Sequence, residues 1–205
     1  MPRPVQLSHG SFKRTVVELA ARDGRLAAIV ERHGIPEFWF RRAGFATLLL
    51  LILEQQVSLA SARAAFTRVD ARVGGVTPEG LLTLSDAELR EDGFSRQKTR
   101  YARALAEKIV SRELDLDGFR RLDDDDVRAA LVALLGVGAW TAEVYLLSAL
   151  RRPDAWPVGD LALQELFLEA SSAARRLHRV TYTHVRRESN ELADSLVNEA
   201  LDALS

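Results

Sequence analysis

The nine residues Leu134 to Ala142, L-L-G-V-G-A-W-T-A, constrain this chain more than any other stretch, because two glycines flank one apolar residue between helical patterns. Glycine tolerates positive φ and lets backbones approach closely, so the spacing reads as a tight turn joining two helices. The same turn leaves backbone N–H groups without intrahelical partners at the start of the second helix, and such donors suit a phosphate. A packing turn and an anion-binding turn both fit the local sequence. A lone acid, Asp160, follows in W-P-V-G-D. On local sequence it is a helix N-cap or a single carboxylate placed for chemistry.

The rest of the chain reads as helix after helix, which predicts an all-α protein. Apolar positions recur at helical spacing over 12–21 and 24–33, and Gly34 and Pro36 break the pattern. A nearly all-apolar run over 45–54 predicts the buried central helix. Its continuation, Glu54-Gln55-Gln56-Val57-Ser58, is polar where a core helix need not be. Gln55 and Gln56 either reach into a groove or pocket or satisfy neighbouring backbone groups. Thr77-Pro78-Glu79 and Ser85-Asp86-Ala87-Glu88 read as helix starts, the second with an S-x-x-E capping box. The acid run Asp123 to Asp126 precedes V-R-A-A-L-V-A-L-L and reads as a helix N-terminus, since consecutive acids on a helix do not converge on one cation.

Composition excludes more than it selects. A chain of 205 residues can bury a sizeable core in one domain or two closely packed lobes. The absence of cysteine excludes disulfides and any cysteine-ligated zinc or iron–sulfur cluster. The run Thr47 to Leu53 is far short of a bilayer span, and no signal-peptide h-region opens the sequence, so the expected location is cytoplasmic and no membrane partner is expected. A formal net charge of −1 argues against coating nucleic acid by bulk attraction. Any such contact must be local, and Arg96, Lys98, Arg100, Arg103 and Lys108 form the basic stretch that could supply it, the alternative being a solvated helix face.

Taken together, A-R-D-G-R-L-A-A-I-V-E-R-H-G from Ala21, G-F-A-T-L-L-L-L-I-L-E-Q-Q-V-S from Gly44, G-F-S-R-Q-K-T-R-Y from Gly93, the G-V-G-x-x-T-A turn and W-P-V-G-D-L-A-L-Q from Trp156 occur in an order that resembles the helix-hairpin-helix superfamily of DNA base-excision glycosylases. The resemblance is to its AlkA-type branch, the alkylpurine (3-methyladenine) DNA glycosylases, over about residues 12–168. It implies a two-lobed helix-hairpin-helix fold within 1–168, with the hairpin at about 126–150, and a nucleoid-associated protein whose partner is duplex DNA containing damaged bases. The cluster-bearing branches are poor models because cysteine is lacking.

The resemblance also assigns roles. Backbone N–H groups around Gly136, Gly138, Ala139 and Thr141 would grip the DNA backbone, with Arg96 and Lys98 nearby. Gln55, Gln56 and Trp140 would line the pocket for a base rotated out of the duplex. Asp160 would stabilise the positive charge that develops on the sugar as the base departs. No cofactor is required, although hairpin carbonyls, here of Val132, Leu134 and Val137, would hold a monovalent cation. Bifunctional members carry a lysine that forms a Schiff base with the sugar at the position of Trp140, so the expectation is a monofunctional enzyme. A flat aromatic wall also suits positively charged alkylpurines.

Residues 169–205 do not continue that pattern. From Val180 to Asp202 the chain resembles the C-terminal strand and helix of ribonuclease H, in which His184, Glu188, Asn190 and Asp194 match the H-V-x-R-E-x-N-x-x-A-D motif. Nothing upstream resembles the strands that would carry its remaining acids, so nuclease activity is not expected. The expectation is an atypical strand-helix tail, and the competing reading is a catalytically impaired DNA-binding or interaction module with a swapped C-terminus. Oligomeric state is not legible.

Overall fold

A computed structural model describes residues 4–157. Residues 4–156 form one compact unit. The expected boundary at 168 and the expected strand-helix tail within 180–202 lie outside the described residues.

The described residues are helical. They run through α1 (His9–Arg22), α2 (Gly24–His33), α3 (Phe45–Glu54), α4 (Leu59–Val73), α5 (Pro78–Thr83), α6 (Asp86–Glu91), α7 (Arg96–Val110), α8 (Asp124–Val132) and α9 (Ala139–Ser148), with a single 3-10 turn at Gly118–Arg120. α3 is the buried centre, as its all-round apolar sequence requires: Leu48, Leu49, Leu51, Ile52 and Leu53 are essentially inaccessible. Each such side chain contributes about 2 kcal/mol of burial. α4, α7 and α9 pack around it.

Capping explains most of the boundaries. Thr77, Ser85 and Asp123 accept from the backbone N–H groups of Gly80, Glu88 and Asp126, and Ser85 with Glu88 forms the expected capping box. α1 starts earlier than its apolar spacing suggests because Ser8 and Ser11 cap each other's backbone. α1 and α2 pack mainly on one another, and neither has a fully buried residue. A cleft of about 610 Å3 opens beside α1, lined by residues including His9, Phe12, Ile35 and Phe38, none of them a candidate site residue.

The segment before α3 is tied to the hairpin helix α9. The Arg41 N–H donates to the Ser148 carbonyl (2.8 Å), and the Gly44 N–H donates to the Tyr145 hydroxyl (2.9 Å). Burial pushes the Tyr145 phenol up to about 12, against the pull of the Gly44 N–H, from an ordinary value of 10.0. In the unfolded chain the phenol ionises first, so unfolding releases a proton above pH 10. Tyr145 therefore gives its full stabilisation below pH 10 and loses about 3 kcal/mol of it as pH rises to 12. Denaturant melts at pH 8 and pH 11 should show about 1.4 kcal/mol of this fall, and Tyr145→Phe should flatten it while losing about 1 kcal/mol at pH 8 with the Gly44 bond.

Candidate DNA interface and active site

The G-V-G turn is where the sequence places it, between α8 and α9. Gly136 has φ +83°, and a Cβ there would lie 2.1 Å from Cδ2 of Tyr101, so the ring occupies the space a side chain would need. Gly138 is the N-cap of α9 with extended φ of −91°, and a Cβ on it would meet nothing within 4 Å. The two glycines therefore do different work. The first lets the backbone turn against an aromatic ring, and the second leaves the approach to α9 open. Among the described residues no side chain caps α9, whose N-terminal mouth carries the positive end of the helix dipole.

Gln55 locks this turn from below. Its Nε2 donates to the Gly136 carbonyl (2.9 Å) and to Thr141 Oγ1 (3.1 Å), and Thr141 is buried. The end of α3 and the hairpin thus form one site. Its neighbour Gln56 differs: it is exposed and adopts φ +56°, a left-handed conformation that a Cβ disfavours. Such strain is characteristic of functional loops. Gln56→Gly should raise stability by a few tenths to about 1 kcal/mol, read as a small rise in Tm, because glycine adopts this backbone freely.

The basic stretch on α7 is divided. Lys98 Nζ donates to the Leu53 carbonyl (2.6 Å) at the C-terminal end of α3, and burial holds its ammonium below the ordinary lysine value. Arg103 pairs with Asp86 (2.7 Å) and donates to the Leu84 carbonyl, and Lys108 pairs with Glu113 (3.4 Å). Arg96 and Arg100 stay exposed. Lys98, expected near the DNA backbone, satisfies an orphan carbonyl of α3. Trp140, on the first turn of α9, is half-buried.

Of the carbonyls named for a cation, that of Leu134 accepts from the Val137 N–H (3.1 Å) and keeps a second lone pair, while Val132 closes α8 at the negative end of its dipole. Among the described residues no cluster of His, Asp or Glu could hold a metal ion, and no helix is long and apolar enough to cross a membrane. Asp160 lies outside the described residues.

Charged groups that the sequence did not single out hold the hairpin. Arg152, only 1% exposed, donates to the carbonyls of Phe119 (3.1 Å) and Leu122 (2.9 Å) and lies 3.3 Å from Asp124. Burial raises the Asp124 carboxyl and the guanidinium of Arg152 opposes that rise. Asp124 thus does more than face a helix dipole: it joins the start of α8 to the segment that follows α9. Arg128 of α8 pairs with Glu143 of α9.

The family model for "HhH-GPD superfamily base excision DNA repair protein" matches residues 49–194, a span that includes the hairpin and Asp160 and runs past residue 168. The chain belongs to this superfamily. It is 28% identical over 147 residues to the putative DNA-3-methyladenine glycosylase YfjP of Bacillus subtilis, covering 68% of this chain and 51% of that protein. Over 180 residues it is 32% identical to the probable bifunctional transcriptional activator/DNA repair enzyme AlkA of Mycobacterium tuberculosis, covering 80% of this chain and 35% of the other. The crystal structure of DNA-3-methyladenine glycosidase from Bacillus halodurans superposes with a TM-score of 0.64 at 30% identity, covering 95% of this chain and 82% of that one. The chain spans about half the length of the first curated relatives it matches. The all-α helix-hairpin-helix glycosylase fold inferred from sequence is thereby established.

Proposed function

We propose that this protein is a monofunctional DNA glycosylase that removes alkylated purines from duplex DNA, the first step of base-excision repair in the nucleoid. The observation that carries the reading is the hairpin mouth: an α9 N-terminus that no described side chain caps, an open approach at Gly138, and Trp140 one residue inside, with Gln55 holding Gly136 and Thr141 on either side. The N–H groups of Gly138, Ala139 and Thr141 would take a phosphate of the damaged strand, and Arg96 would add a local charge. The extruded base would stack on Trp140, whose face attracts a cationic methylpurine.

Asp160 would stand beside the sugar. As the C–N bond lengthens, the electron pair leaves with the base and positive charge grows on the sugar, which a fixed carboxylate stabilises while it orients the attacking water. Val132, Leu134 and Val137 would hold a monovalent cation through their backbone carbonyls, which would add positive charge near the phosphate.

The monofunctional reading rests on amines. The chain contains three lysines, Lys13, Lys98 and Lys108, and none lies in the hairpin. Lys98 and Lys108 are engaged as described, and Lys13 lines the cleft beside α1. A Schiff-base route therefore lacks its nucleophile.

The test is incubation of the purified protein with methylated duplex DNA. Methylated purine should be released while the strand stays intact until alkali is added. Strand cleavage without alkali would refute the monofunctional reading. DNA binding without any base release would favour the impaired binding module.

A further inference from the structure

We propose that Glu143 is a positioning residue that fixes the departure of the chain toward Asp160, an inference that rests on the glycosylase reading above. Glu143 sits in the first half of α9, and its side chain is 13% exposed. Its two carboxylate oxygens have different partners. Oε1 pairs with Nε of Arg128 on α8, and Oε2 accepts from the backbone N–H of Trp156 at 3.0 Å. One carboxylate thus ties the two hairpin helices together and holds the main chain four residues before Asp160.

Trp156 has no reason of its own to be fixed there. Its side chain is 62% exposed, so packing does not anchor it. The next residue is Pro157, which locks its own φ and confines Trp156 to extended backbone. A main chain held at its N–H and stiffened by the following proline leaves the hairpin in a defined direction at Trp156. The charge-assisted bond to a carboxylate is also stronger than a bond to a neutral acceptor.

Arg128 completes the clamp. Its Nη1 reaches Asp125 and the Asp124 carbonyl (3.3 Å), so the guanidinium is itself oriented before it meets Glu143. The elements that would grip DNA and the segment that leads to Asp160 therefore share one acceptor. A displacement of about 1 Å in a reacting group can reduce a rate about 100-fold. Releasing Trp156 has that potential without altering any group that touches DNA.

The experiment compares wild type with Glu143→Ala, Glu143→Gln and Arg128→Ala. It uses single-turnover release of methylated purine, affinity for duplex DNA containing an abasic-site analogue, and hydrogen exchange of the Trp156 amide. Glu143→Ala should slow release about 100-fold, keep affinity within about 2-fold, and deprotect the Trp156 amide. Glu143→Gln keeps a carbonyl acceptor and should restore most of the rate and the protection. Arg128→Ala removes the cross-link between helices but leaves the Trp156 contact, so its rate should fall by less than about 5-fold. Unchanged protection of Trp156 in Glu143→Ala overturns the proposal, as does an equal rate loss in Arg128→Ala or a loss proportional to the unfolded fraction. A wild-type protein that releases no base refutes the glycosylase reading instead, and exchange at Trp156 then decides by itself whether Glu143 holds the segment.

Discussion

Asp160→Asn should cut release of methylated purine on the order of 1,000-fold while leaving affinity for abasic-site DNA within a few fold. The substitution keeps size and hydrogen-bonding capacity and removes the negative charge. If Asp160 only caps a helix, asparagine replaces it almost without cost, because the two are equally good caps. If it faces a sugar that becomes positively charged, the loss of charge is felt in the transition state and hardly in the bound ground state. Preorganised electrostatic groups of this kind contribute roughly 100- to 1,000-fold, and proton transfer to a positioned base can add to that. The outcome to measure is therefore a fall in kcat with little change in binding. Near-normal release by the asparagine variant would leave Asp160 as a cap and move the chemistry elsewhere.

Gly136→Ala should destabilise the fold by roughly 4 kcal/mol, combining a left-handed backbone with overpacking against an aromatic ring. The added methyl would fall 2.1 Å from Cδ2 and 2.4 Å from Cγ of Tyr101, distances no side-chain adjustment of a few tenths of an ångström repairs. Tyr101 is itself held by Gln97, whose Nε2 donates to the hydroxyl at 2.5 Å. Combining Gly136→Ala with Tyr101→Ala should relieve the clash and leave only the backbone term, about 1 kcal/mol, apart from the cost of removing the ring. Gly138→Ala provides the contrast. Its methyl meets nothing, so stability should change by less than about 1 kcal/mol. Yet it stands where a phosphate would approach α9, and DNA affinity should fall clearly. Equal effects of the two glycine substitutions on both stability and binding would contradict the division of labour described for the turn.

How much of this was legible in the sequence depends on which physical signal each residue leaves. The turn was readable because a G-x-G between apolar helices has few conformational solutions, and α3 was readable because no surface helix is apolar on every side. The caps at Thr77, Ser85 and Asp123 announced themselves through side chains that favour the N-cap. The pair Gln55 and Gln56 was flagged as one feature, and only coordinates separate the inward Gln55 from the strained, exposed Gln56. Lys98 and Arg103 are not separable in sequence from their basic neighbours, because a basic residue looks the same there whether it meets phosphate, solvent or an orphan carbonyl. The latter depends on which helix ends happen to be adjacent in space. Arg128, Glu143 and Arg152 went unnoticed for a related reason. Charged residues default to the surface, and the one available clue is Arg152 shortly after a strongly apolar helix, directly before Pro153.

The loose seating of α1 and α2 bears on every stability measurement proposed for this molecule. Helices that place no side chain fully inside gain little from joining the body, so they are expected to come apart well below the main transition, and the chain should not melt as a single cooperative unit. Trp39, on the segment that follows α2, would report the early event, whereas Trp140 in the hairpin would report the later one. Fluorescence summed over these two and Trp156 would blend the midpoints into one shallow curve, and a Trp39→Phe background restores a signal, from Trp140 and Trp156, by which the glycine variants can be ranked.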